Sequence, residues 1–165
     1  MAPFTLGFGL GTAAGLFAGK AVELGVSVLQ PLFTERCQVK LSGQRRAQRL
    51  AHWRRLIISA CEQSGRCRIP ELANPETLAA SLHRQRPGVS LLLDPRSRQT
   101  LQELPEPQTG VTLLVGPEGG LSEAERALAL QQGFIGVRLG PRILRTETAP
   151  LAAIAALQTL WGDFR

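Results

Sequence analysis

VGPEGGL, residues 115–121, and LGPRILRTETA, residues 139–149, are the two stretches on which the reading of the chain turns. Each ends a short apolar run, Val111 to Val115 in the first case and Phe134 to Leu139 in the second. Each therefore reads as a loop at the C-terminal end of a strand, which is where open α/β sheets place their ligands. Between them Ser122 and Glu125 form a capping box, and Gly133 stops the helix that the box starts. The order strand, loop, helix, strand, loop, helix lets two loops share one pocket.

Gly116-Pro117-Glu118-Gly119-Gly120 allows backbone to approach a ligand closely, and the amides opening the next helix are donors. Glu118 disfavours a bare phosphate there and suits a ligand with a cationic centre and hydrogen-bonding edges. The plain alternative is a tight strand-to-helix turn. In the second loop Arg142, Arg145, Thr146, Glu147 and Thr148 crowd polar groups between a core strand and a core helix, where unpaired polar groups are costly. They require partners or a substrate.

Working outward, Val89 to Leu93 is a continuous apolar run closed by Asp94-Pro95, the pattern of a fully buried parallel strand. Asn74 to Gly88 reads as a connecting helix with Pro75 near its start, and Leu101 to Gly110 as a proline-rich connector. Pro150 to Trp161 is a strongly apolar helix, expected to dock, with a second subunit as one possible surface. At the other end, Phe4 to Leu10 reads as a strand, Thr12 to Leu24 as a helix stopped by Gly25, and Val26 to Leu29 as the next strand. That is a βαβ start.

Residues 9–14 also match G-x-G-x-x-A, the dinucleotide fingerprint, but the acidic partner expected about twenty positions on is missing. Gly15 to Lys20 is one residue short of a Walker loop. Met1 to Gly19 carries no charge, yet its first cation, Lys20, follows the apolar run instead of preceding it as in a signal peptide. Five glycines and two threonines make it too weakly apolar to span a membrane.

The formal net charge is +6, which favours a polyanionic partner such as RNA. From Thr34 to Arg68 the cations Arg36, Lys40, Arg45, Arg46, Arg49, Arg54, Arg55, Arg66 and Arg68 face only Glu35 and Glu62. Leu50, Trp53, Ile57, Ala60 and Cys61 recur at helical spacing and define a buried face, with Gly65 as the left-handed stop. Arg45, Arg46 and Arg49 sit where the helix dipole prefers acids, so they do not stabilise the helix. Either they are a solvated face or they contact phosphates. Cys37, Cys61 and Cys67 are an odd set, which favours a reducing compartment, and their spacing with His52 and His83 makes no zinc pattern; no metal is expected.

The two loops, read as VGPEGGLSEAE and LGPRILRTETA, closely resemble the RsmE family of ribosomal RNA methyltransferases in the SPOUT superfamily. The resemblance extends through Lys20 to Val26, Thr34-Glu35-Arg36, Trp53, residues 62–66, Ile69-Pro70 and Gly162-Asp163. It implies an α/β fold, a parallel sheet flanked by helices, with a C-terminal deep trefoil knot. It implies a cytoplasmic homodimer that uses S-adenosyl-L-methionine to methylate N3 of a uridine in small-subunit ribosomal RNA.

Carried over by position, Leu93, Gly116, Pro117, Glu118, Gly119, Gly120, Leu139, Gly140, Pro141, Ile143, Leu144 and Arg145 would line the cofactor. Arg145 would stabilise the uridine anion and Glu147 would serve as base, with Arg36 or Arg66 arriving from a partner subunit; the plain alternative for each is a salt bridge that holds the knot loop. Arg36, Arg45, Arg46, Arg49 and Arg66 would meet the RNA. Residues 1–165 are expected to be a single methyltransferase domain without the family's N-terminal PUA-like domain. Cys37 stands where serine is usual after Thr-Glu-Arg, and Pro150 where a small residue is. Two other classes remain beside this reading: a catalytically silent RNA-binding module, and a nucleotide-dependent oxidoreductase built on Gly9 and Gly11.

Overall fold

The computed structural model describes residues 3–12, 14–37 and 42–164, so Ala13 of the glycine fingerprint and Lys40 of the basic run lie outside the described residues. Strand β1 (Phe4–Gly9) leads through helix α1 (Ala14–Glu23) to β2 (Val28–Phe33) and the long helix α2 (Gly43–Ser64). Short strands β3 (Glu71–Leu72) and β4 (Glu76–Thr77) precede helix α3 (Leu78–Leu82) and strand β5 (Val89–Leu93). Then come β6 (Val111–Val115), α4 (Glu123–Gln131), β7 (Ile135–Val137) and α5 (Ala149–Trp161). The strands form one parallel sheet in the order β3-β2-β1-β6-β5-β7, with β4 also on β2. The expected α/β class with a parallel sheet is the one observed.

Alternation along the strands assigns the two faces. Phe4, Leu6 and Phe8 of β1 join Leu113 of β6 and Leu91 of β5 in the larger core, under α1, α2 and α5. Leu114 and Leu92, one position on, join Leu78, Leu82, Ala129 and Phe134 on the other face, under α3 and α4. Phe8 meets Phe17 of α1 edge-on at 5.3 Å and Trp53 of α2 at 6.0 Å, so the first strand seats both helices. Each such buried side chain contributes about 1.5–3 kcal/mol. The buried face of α2 is Leu50, Trp53, Ile57 and Cys61, as its spacing requires, and Gly65 closes it at φ 73° with its N–H on the Cys61 carbonyl.

Beyond shifts of one or two residues at the ends of β1 and α1, three elements differ from the sequence expectation. Strand β2 starts at Val28, not Val26, and runs through Pro31. Leu32 O accepts from Leu10 N, and Leu29 O from Ala73 N, both at 2.9 Å, so alternate residues of β2 address opposite neighbours. Pro31 falls on the side of β3 and β4, at the break between them, where its missing N–H removes no ladder bond.

The connecting helix is five residues long instead of spanning 74–88. Thr77, not Asn74, is its N-cap, its hydroxyl accepting from Ala80 N at 3.2 Å. After His83 the chain turns toward β5, with Gly88 at φ 81° pressed against the Gly110 backbone. Strand β7 is limited to Ile135–Val137, because Phe134 enters the core below it and Arg138 bridges instead to Thr100. The C-terminal helix is tied to the first one by Gln158, 2 % exposed, whose amide donates to Leu24 O at 2.7 Å.

Candidate functional site

Parallel pairing brings the C-terminal ends of β1, β6, β5 and β7 to one edge of the sheet, side by side. Over the ends of β5, β6 and β7 lies a cleft of about 450 Å³. One wall is residues 116–121, which leave β6; the facing wall is formed by Leu139, Gly140, Arg142, Ile143, Leu144 and Thr146, which leave β7. Leu93, Asp94 and Pro95 at the end of β5 form the floor between them, and Arg36 closes one side.

The first wall is fixed from three directions. Glu125, buried in the first turn of α4, accepts from Ser122 N at 2.9 Å through one oxygen and from Glu35 N at 3.1 Å through the other. Its own N–H donates to Ser122 Oγ at 3.1 Å, completing the capping box. Arg36 Nη1 donates to Gly119 O at 3.0 Å, so the turn after β2 holds the glycine loop at two points. Below the loop, Gly9 and Gly11 leave room that Pro117 and Glu118 fill. A Cβ on Gly9 would stand 2.5 Å from Pro117 Cδ, and one on Gly11 1.9 Å from Glu118 Oε2. Thr12 Oγ1 donates to Glu118 Oε1 at 2.9 Å. The space that a dinucleotide pyrophosphate would need above these glycines is thus taken by the chain itself.

The floor carries a charged cluster that the sequence does not reveal. Asp94, 6 % exposed, pairs with Arg126 of α4 and accepts from Arg96 N at 3.0 Å, while Arg96 also pairs with Glu123. Burial opposes the charge on Asp94, but the Arg126 hydrogen bond, the Arg96 amide and the two guanidinium charges together hold its pKa below the usual carboxylate value. Asp94 is therefore an anion in the cleft at neutral pH. Its partners lie 2 and 32 positions away, and no local pattern links it to the farther one.

The residues singled out for the cofactor are brought together except for two. Leu93, Gly116 to Gly120, Leu139, Gly140, Ile143 and Leu144 line the cleft, whereas Pro141 and Arg145 are exposed on the second loop outside its lining. Glu147 faces a separate shallow groove between α1 and α5, with Lys20, Leu16 and Leu151. Arg36 belongs to the cleft of its own chain. Arg66 turns inward and donates to Val22 O at 2.7 Å and Val26 O at 2.8 Å, holding the end of α1. Arg46 donates to Pro75 O at 3.1 Å, Arg49 lies over the Trp53 ring at 5.9 Å, and Arg45 is exposed at the start of α2. Among the described residues no group of histidine, cysteine and carboxylate side chains is arranged to hold a metal ion.

Comparison with known proteins bears on this geometry. A family model described as an RNA methyltransferase domain matches residues 7–158. The ribosomal RNA small subunit methyltransferase E of Buchnera aphidicola (subspecies Schizaphis graminum) is 44% identical over 145 residues, which are 87% of this chain and 59% of that protein. The crystal structure of the Neisseria gonorrhoeae methyltransferase of the same name, bound to S-adenosyl methionine, superposes with a TM-score of 0.95. It is 43% identical, across 99% of this chain and 69% of that one. A Legionella pneumophila methyltransferase in complex with the same cofactor gives 0.93 at 38% identity, across 97% and 67%. The chain spans less than two thirds of the length of the curated relatives it matches. With the RNA methyltransferase domain covering nearly all its strands, and this identity to a solved methyltransferase E, the chain belongs to the ribosomal RNA small subunit methyltransferase E family.

Proposed function

We propose that this chain is the catalytic part of an S-adenosylmethionine-dependent RNA methyltransferase that acts on N3 of a uridine in small-subunit ribosomal RNA. The observation that carries the proposal is the cleft at the ends of three parallel strands, walled by two glycine-bearing loops, in a chain 43% identical to a relative crystallised with that cofactor. The residues present fit such a ligand. Gly116 and Gly119 keep the wall thin, since a Cβ at either would lie 3.2 Å from Leu121 N or from the Arg36 side chain. Leu93, Leu139 and Leu144 offer apolar surface for a base, and Glu118 adds a carboxylate to the lining.

Bound there, the cofactor supplies an electrophilic methyl group on a sulfonium. What the chain adds is alignment, which accounts for most of the acceleration in such transfers. The acceptor nitrogen must lose a proton as its bond to carbon forms. Arg145 is assigned to stabilise the uridine anion and Glu147 to take that proton, on the strength of the family resemblance; both stand on the second loop outside the cleft lining of their own chain. Two arginines of α2, the exposed Arg45 and the half-buried Arg49, are assigned to the RNA backbone.

We assign a single SPOUT-type domain, with the C-terminal segment knotted as the family resemblance implies, and a homodimer. The continuous core from β1 to α5 supports one domain. Leu16, 63 % exposed on α1 beside Leu151 of α5, supports a second copy on that face. Cys61 and Cys67 are free thiols, which suits the cytoplasm, and no described helix is long and apolar enough to cross a membrane.

The test is direct. S-adenosylmethionine at micromolar concentration should raise the melting temperature of the purified chain by ligand linkage. Small-subunit RNA incubated with labelled cofactor should yield 3-methyluridine on nucleoside digestion. A flat melting temperature at large cofactor excess defeats the enzyme reading, and a different methylated nucleoside replaces the N3 assignment.

A further inference from the structure

The arginines around the cleft are not equivalent. Arg36 is committed to Gly119 O, Arg126 to Asp94, and Arg96 to Glu123 and Asp94. On the α4 side of the mouth Arg96 and Arg126 are thereby neutralised by Asp94 and Glu123, and Arg36 is tied to a carbonyl of the glycine loop. On the β7 side, Arg138 and Arg142 also line the cleft, both are exposed, and neither guanidinium makes a hydrogen bond or ion pair among the described residues. Arg138 has Glu103 in electrostatic range without pairing to it; one oxygen of that carboxylate accepts from the Thr100 amide at 2.6 Å and from the Thr100 hydroxyl at 3.1 Å.

Resting on the proposed methyltransferase reading, we infer that Arg138 and Arg142 form a two-point clamp for the phosphates flanking the acceptor nucleotide, so that the RNA strand crosses the mouth on the β7 side. Two features select a polyanion over the cofactor's own carboxylate as the occupant. Both side chains stand in solvent at the rim, while the cleft below them offers the apolar surfaces of Leu93, Leu139 and Leu144 and an Asp94 already paired with Arg126. A guanidinium fork matches phosphate oxygens without needing burial, and phosphate contacts of this kind fix register and orientation. The acceptor base must leave any stack to reach the cleft, and phosphates held on one side set the direction from which it enters. The neutralised α4 side gives a backbone no comparable attraction.

The experiment compares wild type with Arg138→Gln, Arg142→Gln and the double variant, and with Arg84→Gln as a charge control. Arg84 lies at the opposite edge of the sheet, near Pro3 and Pro87, and its loss changes net charge equally. Binding of a small-subunit ribosomal RNA fragment is measured by fluorescence anisotropy across a salt series, and S-adenosylmethionine binding by calorimetry. Each cleft variant should weaken RNA binding and lower the slope of log K against log salt by about 1, with cofactor affinity retained. Arg84→Gln should leave the slope as in wild type. An unchanged slope in the cleft variants, an equal loss in the control, or a wild-type chain that binds no RNA overturns the clamp. A parallel loss of cofactor affinity also overturns it and assigns the arginines to the cofactor carboxylate. Failure of wild type to bind the cofactor at all would instead defeat the methyltransferase reading, while the salt slopes still report on the arginines.

Discussion

Gly9 and Pro117 are packed so closely that a Cβ on Gly9 would lie 2.5 Å from Pro117 Cδ and 2.6 Å from Pro117 N. The second of these is a backbone atom, so no side-chain rotation relieves the clash. Gly9→Ala is expected to push the 116–120 loop away from the sheet. It should destabilise the fold by about 1–3 kcal/mol, the usual cost of overpacking, and weaken S-adenosylmethionine binding beyond what the stability loss explains. Gly11→Ala meets only the carboxylate end of Glu118, which can move, and should be milder in both respects. Thermal melts with and without cofactor separate the two.

Arg66 should behave as a structural residue. Its guanidinium serves Val22 O and Val26 O, carbonyls at the end of α1, and charge-assisted hydrogen bonds contribute about 1.5–3 kcal/mol each. Arg66→Ala is expected to lower the urea midpoint with the m-value unchanged. The RNA affinity of the folded variant should stay within twofold of wild type; a loss in proportion to that of Arg142→Gln would return Arg66 to the RNA surface.

Asp94 makes stability sensitive to acid. Its folded pKa is held below the ordinary value, so its contribution is complete above the unfolded-state pKa of about 3.9 and is lost as pH falls through the folded value. Asp94→Asn should remove this dependence, giving a shallower decline of melting temperature below pH 4 than in wild type. It should also lower stability at pH 7, because Arg126 loses its partner.

Glu125 joins two segments through one carboxylate. Glu125→Ala is expected to cost about 1–2 kcal/mol as a lost cap and to leave the Glu35 amide without its acceptor. Because that amide adjoins Arg36, hydrogen exchange should quicken at Glu35 and across residues 119–122 together. Faster exchange confined to α4 would mean that the bridge to Glu35 contributes nothing.

Local features were legible in the sequence. The capping box at Ser122 and Glu125, the left-handed glycines Gly25, Gly65 and Gly133, and the buried stripe of α2 depend on residues within a few positions, and the structure has them as read. What escaped depends on distant parts of the chain. Pro31 is tolerated inside β2 because β3 and β4 part company beside it, and nothing near Pro31 says so. Gly9 and Gly11 looked like a nucleotide fingerprint because their real occupant, the 117–118 turn, comes more than 100 residues later; the Thr12 to Glu118 bond spans 106 positions. Asp94 was read as a turn residue, since its partner Arg126 lies on a helix that follows another strand. Family resemblance reached the cleft lining, but not the charge balance at its mouth.

The tether from Gln158 to Leu24 closes a span of 134 residues, and the Thr12 to Glu118 bond that seats the first cleft wall spans 106. Such long-range pairing makes folding slow, because loop-closure entropy is spent before most contacts form. A nascent chain lacking its last thirty or so residues has neither the second wall of the cleft nor the helix that secures α1. Cofactor response is then a reporter of a docked α5: truncations anywhere in that helix should abolish it in one step and not by degrees, and refolding followed by cofactor binding should lag behind the recovery of helical signal.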